Sequence, residues 1–261
     1  VTHVLITGGG GFLGQKLALK LAELGEVGGQ AIQSMTLVDV VAPKPVAAAF
    51  KTREEVLDVS DPAAVQGLFK DTFDTIYHLA AVVSGQAEAE FDVGLQVNLF
   101  GTLNMLQAAR MQDARIGRPA KFIYASSASS FMSSIFRDTL QGNPANCPLG
   151  RDYKVWHTAP RTIIENLVHA ALVPAEAFGM NRNINLPGRS DTIGDMIGAM
   201  TRVAGPQAQA LITWEPDEAV ANIALGWRGN IRHDKALALG FKAVRSFEDT
   251  VKWFLEDDIA T

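Results

Sequence analysis

Val1-Thr2-His3-Val4-Leu5-Ile6-Thr7 runs directly into Gly8-Gly9-Gly10-Gly11-Phe12-Leu13-Gly14, and the reading of this stretch decides the fold. The first part is an apolar strand and the second a glycine-rich turn. A helix follows, because Leu13, Leu17, Leu21 and Leu24 recur at spacings of four, four and three and so share one face. Gly8, Gly11 and Gly14 stand three apart, and Gly9-x-Gly11-x-x-Gly14 also satisfies the looser fingerprint. In such a turn one glycine permits the tight bend, one lets a pyrophosphate approach the backbone, and one lets helix and strand pack closely. Free amides at the helix start, those of Phe12 and Leu13, and the positive end of the helix dipole attract phosphate. A strand, this turn and a helix together predict a dinucleotide site.

Working outward, four further strands are expected at Met35–Asp39, Glu55–Asp58, Thr75–Ala80 and Lys121–Ala125. Helical stretches separate them. Asp61 before Pro62 is a cap followed by a first-turn proline. A longer helix is expected over Glu88–Arg110, with Leu95, Leu99, Leu103 and Leu106 again at four, four and three. Apolar strands alternating with helices imply a parallel sheet covered on both faces, a doubly wound α/β (Rossmann) fold. From Phe131 the regular alternation gives way to short helices, prolines and isolated strand fragments. Residues 1–130 are therefore expected to hold the cofactor, and 131–261 to form a smaller, mainly substrate-binding α/β part. Helices are expected around Ile163, Leu167 and Ala171, around Ile193, Ile197, Met200 and Ala204, and over Phe247–Leu255, with a strand at Leu211–Trp214.

Asp39 ends the second strand where an acidic residue can accept hydrogen bonds from both adenine-ribose hydroxyls and repel a 2′-phosphate. Lys44 is the nearest following cation, so NAD is expected rather than NADP. Asp58-Val59 ends the third strand, where Asp58 reaches an adenine amino group or simply closes a turn.

Composition narrows the partners. The formal net charge of −5 argues against a nucleic-acid surface, which needs concentrated Lys and Arg. Cys147 is the single cysteine, so no internal disulfide can form, which suits a reducing cytoplasm. No apolar run approaches the ~20 residues of a membrane span, and the strand at the first residues leaves no signal peptide to expect. No metal is expected.

Along the chain, Thr7-Gly8-x-x-Gly11-x-x-Gly14, Asp39, Asp58-Val59, His78-Leu79-Ala80-Ala81, Val97-Asn98-x-x-Gly101-Thr102 and Ser126-Ser127-Ala128 resemble, in order, the motifs of extended short-chain dehydrogenases. That group includes the nucleotide-sugar epimerases and dehydratases. Arg151-Asp152-Tyr153, Trp156-His157-Thr158 and Asn185-Leu186-Pro187-Gly188 extend the resemblance into the second half. Phe12–Ala18, His78–Glu88 and Trp156–Arg161 look most like those members that act on D-erythronate, a four-carbon sugar acid. The resemblance implies that Leu79, Ala80 and Ala81 line the cofactor. It implies that Asn98 joins the central helix to a catalytic Lys through water, and that Ser127 orients the substrate hydroxyl beside Ser126. A buried strand-end residue is the better reading of His78 than a catalytic one. For a sugar-acid carboxylate, Arg151 and His157 are candidates, as is Ser84 after the fourth strand. Oxidation of the 2-hydroxyl of D-erythronate with NAD is the implied reaction, with nucleotide-sugar epimerisation or dehydration as the alternative. Members of the group usually dimerise through helices placed like Glu88–Arg110. The same helix serves equally as a face covered within one subunit, which leaves a homodimer open.

One departure stands out. The group carries a Tyr-x-x-x-Lys pair on a helix after the Ser-Ser strand end, and no Tyr here has a Lys four positions on. Tyr77 and Tyr124 fall inside strand patterns, and Tyr153 is followed directly by Lys154. Ala128 leads at once into Ser129-Ser130-Phe131-Met132-Ser133, which resembles a segment lying well beyond that pair. A true deletion would remove a helix and a sheet strand and expose apolar edges. That cost exceeds the ~5–15 kcal/mol of net stability of a domain. The favoured expectation is that the sequence passes over tens of residues at this junction. The alternative is a cofactor-binding sensor without catalysis.

Overall fold

The computed structural model describes residues 1–126, 133–226 and 229–259. Six strands form one sheet: β1 (Thr2–Thr7), β2 (Glu26–Val27), β3 (Gln30–Asp39), β4 (Lys51–Val56), β5 (Thr75–His78) and β6 (Lys121–Tyr124). β3, β1, β5 and β6 lie side by side and β4 pairs β3, all parallel, while the short β2 runs antiparallel against the start of β3. The third expected strand sits earlier than its apolar residues suggest, at Lys51–Val56 instead of Glu55–Asp58. Backbone pairing to Ser34–Asp39 sets that register, and Asp58 falls in the turn beyond it.

Helix α1 (Phe12–Leu24) buries Leu17 and Leu21 of the expected leucine face, leaves Leu24 exposed in its last turn, and ends on Gly25 in the left-handed conformation. Helix α2 (Pro62–Leu68) starts as expected: the Asp61 carboxylate accepts from the amides of Ala63 and Ala64, with Pro62 in the first turn. After β5 come α3 (Ser84–Ala89), α4 (Phe91–Gly94), a π-helical turn (Leu95–Gly101) and α5 (Thr102–Ile116). Leu5, Val38, Val65, Ile76 and Met105 meet in the core between sheet and helices, each burial contributing about 1.5–3 kcal/mol.

Two features of this region depart from the sequence reading. The leucine stripe of the long helix points outward: Leu99, Leu103 and Leu106 are 55%, 44% and 47% exposed, while Met105, Ala108 and Ala109 on the other face are buried. The helix is thus apolar on both sides, and small residues carry the inner contact. The second departure is β6, whose sequence Lys-Phe-Ile-Tyr reads as a covered strand. Its neighbour β5 is wholly buried, yet Phe122 and Ile123 are only half-buried and Tyr124 is 46% exposed. Among the described residues no strand pairs the outer edge of β6.

Spatial proximity divides the chain into two units: residues 1–126 with 167–174, and residues 127–166 with 175–261. In the second unit lie α6 (Ser133–Leu140), β7 (Ala145–Asn146), β8 (Lys154–His157), the first half of α7 (Pro160–Leu172), a 3-10 turn (Ala175–Phe178), β9 (Arg189–Thr192), α8 (Ile193–Ala204), α9 (Pro206–Ala210), β10 (Ile212–Thr213), α10 (Glu218–Leu225), α11 (Asp234–Ala238) and α12 (Phe247–Phe254), which runs on into a π-helical turn (Leu255–Ile259). β8 pairs antiparallel with β9, and β10 pairs parallel with β7. Ile135, Val155, Ile193, Ile197, Met200 and Val251 form the core of this unit, with Phe136 and Phe247 edge to face at 4.7 Å. Helix α8 is held at its start by a reciprocal cap between Thr192 and Asp195. Among the described residues no helix is long and apolar enough to cross a membrane.

Candidate functional site

The order β3-β1-β5 reverses the direction of winding at β1, so the crevice of this sheet opens between the carboxyl ends of β1 and β5. Thr7-Gly8 leaves one strand there and Leu79-Ala80 the other. Gly8 has φ +73°, and a Cβ on it would lie 2.7 Å from both Ala80 N and Leu79 C. A Cβ on Gly14 would lie 2.0 Å from the Gly8 carbonyl oxygen. These two positions admit nothing larger than glycine. The turn is held further by Gly9 N donating to Val38 O at 3.0 Å and by Gln15 Nε2 donating to Gly9 O at 2.6 Å. Gln15 is a residue that sequence reasoning missed, since a polar side chain inside a helix carries no periodic signal. Helix α1 begins at Phe12 with Gly11 as its cap, which offers no side chain to its first amides. A narrow cradle, an uncapped helix start and a nearby carboxylate fit a dinucleotide pyrophosphate and its ribose.

Asp39 supplies that carboxylate. Gly10 N donates to its Oδ2 at 3.0 Å and Val41 N to its Oδ1 at 3.4 Å, so the group is aimed back over the glycine turn. Asp58 is exposed and accepts from Ser60 N at 2.8 Å, the geometry of a turn-closing aspartate, and Val59 beside it is buried in the core.

Beyond β5, the segment Ala80–Val82 is gripped through Asn98. Its Oδ1 accepts from Val82 N at 2.8 Å and its Nδ2 donates to Val82 O at 2.9 Å. Asn98 lies in the π-helical turn, a wide turn that recurs at functional sites. The resemblance implied a water link from Asn98 to a Lys; here its amide is committed to the main chain of Val82.

His78, at the end of β5, is fully buried, and burial pulls its imidazole down from the ordinary 6.5 to about 4. Its Nδ1 lies 2.7 Å from Thr7 Oγ1 and its Nε2 lies 3.0 Å from Thr102 Oγ1. Neither Thr7 nor Thr102 was singled out for this from sequence.

The tyrosines do not replace the missing pair. Tyr77 is buried with its hydroxyl unpartnered, and burial pushes its phenol well above the ordinary value. The Tyr153 hydroxyl donates to the Ala224 carbonyl, and burial raises it too. Tyr124 stacks on His78 with ring centroids 5.5 Å apart. Ser126 is exposed just past β6, Ala81 is exposed, and Ser84 opens α3. Ser127 and the Ala128–Ser129 junction lie outside the described residues.

Two candidates belong to the second unit. Arg151 is exposed, its guanidinium 4.4 Å from the centroid of the Trp214 ring. His157 Nε2 meets Asp191 Oδ2 at 2.8 Å, and Arg189 grips both oxygens of the same carboxylate at 2.9 Å. Burial lowers the His157 imidazole, with Asp191 opposing, while Arg189 is the main reason that the Asp191 carboxyl lies below its ordinary range. An imidazole turned toward a carboxylate faces a charge that repels a second one.

The model of a family described as the NAD dependent epimerase/dehydratase family matches residues 4–171. A D-erythronate dehydrogenase of Cupriavidus necator is 33% identical over 323 aligned positions, which cover 98% of this chain and 98% of that protein. A second D-erythronate dehydrogenase, of Haemophilus influenzae, is 29% identical over 320 positions, 98% of this chain and 99% of that protein. A solved structure of a nucleoside-diphosphate-sugar epimerase from Agrobacterium tumefaciens superposes with a TM-score of 0.90 at 28% identity, covering 99% of this chain and 95% of that one. An alignment of 323 positions against a chain of 261 residues leaves at least 62 positions of the first relative with no counterpart here.

Proposed function

Because the chain belongs to the NAD dependent epimerase/dehydratase family, we propose that it is an NAD-dependent dehydrogenase oxidising the 2-hydroxyl of a short sugar acid, D-erythronate, to the 2-oxo acid. The observation that carries the substrate is likeness to D-erythronate dehydrogenases along 98% of the chain. When bound, NAD accepts the hydride from the carbon that bears the hydroxyl. The chain's own residues hold the dinucleotide through the Gly8–Gly14 turn and Asp39, and shape the floor beyond β5 through Asn98. Ser127, with Ser126 beside it, is proposed to orient the hydroxyl, and Ser84 to help hold the carboxylate. Arg151 is proposed to take the carboxylate, since its planar fork suits that group; His157 is left to Asp191. The single buried cysteine suits a cytoplasmic location.

Hydride loss requires that the hydroxyl proton leave in step, and a Tyr lowered from its free pKa of ~10 by a neighbouring Lys is suited to take it. We place that pair in a segment passed over at the Ala128–Ser129 junction. The unmatched alignment positions support the existence of such a segment, and the edge of β6, unpaired among the described residues, supports its place beside that strand. Intact mass of the protein purified from cells tests it. A mass several thousand daltons above 28.0 kDa is expected, with NADH formed when D-erythronate and NAD are added. A mass of 28.0 kDa without NADH formation makes the chain a cofactor-binding protein that lacks proton transfer. The structural likeness to a nucleotide-sugar epimerase favours a second catalytic reading, which turnover of nucleotide sugars but not of D-erythronate would establish.

The outward leucines of the long helix form an apolar face of the kind that marks an interaction surface. A second copy of the chain is its proposed partner.

A further inference from the structure

The hydrogen bonds around His78 have only one consistent direction. Thr102 Oγ1 has a single proton and gives it to Asn98 O at 2.8 Å, so it must accept from His78 Nε2–H. Nδ1 of the uncharged ring is then an acceptor, and it takes the Thr7 hydroxyl proton at 2.7 Å. Thr7 Oγ1 in turn accepts from Ala80 N at 3.3 Å. One relay therefore runs from the Ala80 amide through Thr7 to one side of the ring, and from the other side through Thr102 to the Asn98 carbonyl. Its two ends are the two grips on the segment Ala80–Val82: Thr7 holds its first amide, and Asn98 holds Val82 by both main-chain groups.

With Asp39 proposed to take the adenosine half of the cofactor at the β3 end of the crevice, the nicotinamide half falls on the β5 side, over Ala80–Val82. From this juxtaposition we infer that His78, as the neutral ring with the proton on Nε2, is a positioning residue for the nicotinamide half of NAD. It acts through Thr7 and Asn98 and touches no cofactor itself. The inference rests on the cofactor reading of the preceding subsections. An aromatic ring of similar shape fills the space but can neither donate nor accept, so it leaves the buried Thr7 hydroxyl proton without its acceptor and Thr102 Oγ1 without its donor.

The test compares NAD with ADP, which lacks the nicotinamide half, by calorimetric titration of the full chain. His78→Phe and Thr102→Val are expected to weaken NAD about tenfold while leaving ADP within twofold, and Thr102→Ser is expected to retain the affinity for NAD. In 15N-histidine spectra of the unsubstituted protein, His78 is expected to show the Nε2-protonated neutral tautomer. Should His78→Phe fail to fold, Thr102→Val carries the same test. Equal loss of NAD and ADP would reduce the relay to a structural role and overturn the inference, as would unchanged NAD binding in both variants. An unsubstituted protein that binds neither ligand overturns the cofactor reading, and this inference with it.

Discussion

The Asp39 carboxylate accepts the Gly10 amide at 3.0 Å across the mouth of the glycine turn. One residue thereby braces the glycine turn proposed to hold the phosphates, and it is also the residue proposed to take the ribose. Asp39→Ala is expected to weaken NAD about tenfold and to improve NADP relative to NAD, because a charge that repels the 2′-phosphate is removed. Titration of both cofactors checks this, and an unchanged NADP-to-NAD ratio would count against the role of Asp39.

Gly14 bears the closest approach in the turn. With a Cβ placed 2.0 Å from Gly8 O, Gly14→Ala forces helix α1 away from the strand. Overpacking of this kind costs about 1–3 kcal/mol. Thermal melting should fall by several degrees, about 2–4 °C for each kcal/mol in a chain of this size, and NAD binding should fall with it. Substitution at Gly117, which ends α5 with nothing within 4 Å of a Cβ, should leave NAD binding intact.

Stability should depend on pH through His78. In the unfolded chain its ring takes a proton near 6.5, and in the folded protein only near 4. Between these values the unfolded state binds the additional proton, so this contribution is complete above about 6.5 and is lost as pH falls toward 4. The whole loss is about 3 kcal/mol. Urea midpoints measured from pH 7 to 4 should fall more steeply for the unsubstituted protein than for His78→Gln, and parallel profiles would show that His78 does not titrate in this way.

The outward face of the long helix predicts an oligomer. Sedimentation equilibrium should find a dimer, and Leu99→Glu with Leu103→Glu should convert it to a monomer with an unchanged circular dichroism spectrum. These side chains are about half exposed, so the substitutions remove little packing within the subunit. A monomeric unsubstituted protein would rule out a second copy as the partner.

Much of the first unit could be read in advance because its signals are local. The glycine spacing, the Leu17–Leu21 face and the Asp61-Pro62 helix start each act within a few residues, and each reappears in the structure. Readings that depended on distant partners fared differently. Leu99, Leu103 and Leu106 have the spacing of a core face, yet the sheet takes the side bearing Met105, Ala108 and Ala109, because small residues let a helix lie closer. The third strand begins at Lys51, set by its pairing with β3 and not by its own apolar residues. Asn98 and His157 carry groups suited to several tasks, and only their neighbours, Val82 and Asp191, select among them.

The division follows the range of the interactions involved. Residues 1–14 and Asp39 were enough to predict a dinucleotide-binding turn, and the alternation of apolar strands and helices over the first half a doubly wound sheet, since strand-turn-helix geometry is a property of contiguous chain. The polarity of the relay through His78 arises only in the folded protein. It joins residues 71 and 24 positions apart, and a proton's direction is settled by which partners packing brings within reach. The open edge of β6 is likewise a tertiary fact: an apolar strand reads the same in sequence whether or not a neighbour covers it, and only the assembled sheet shows that its outer side has no partner among the described residues.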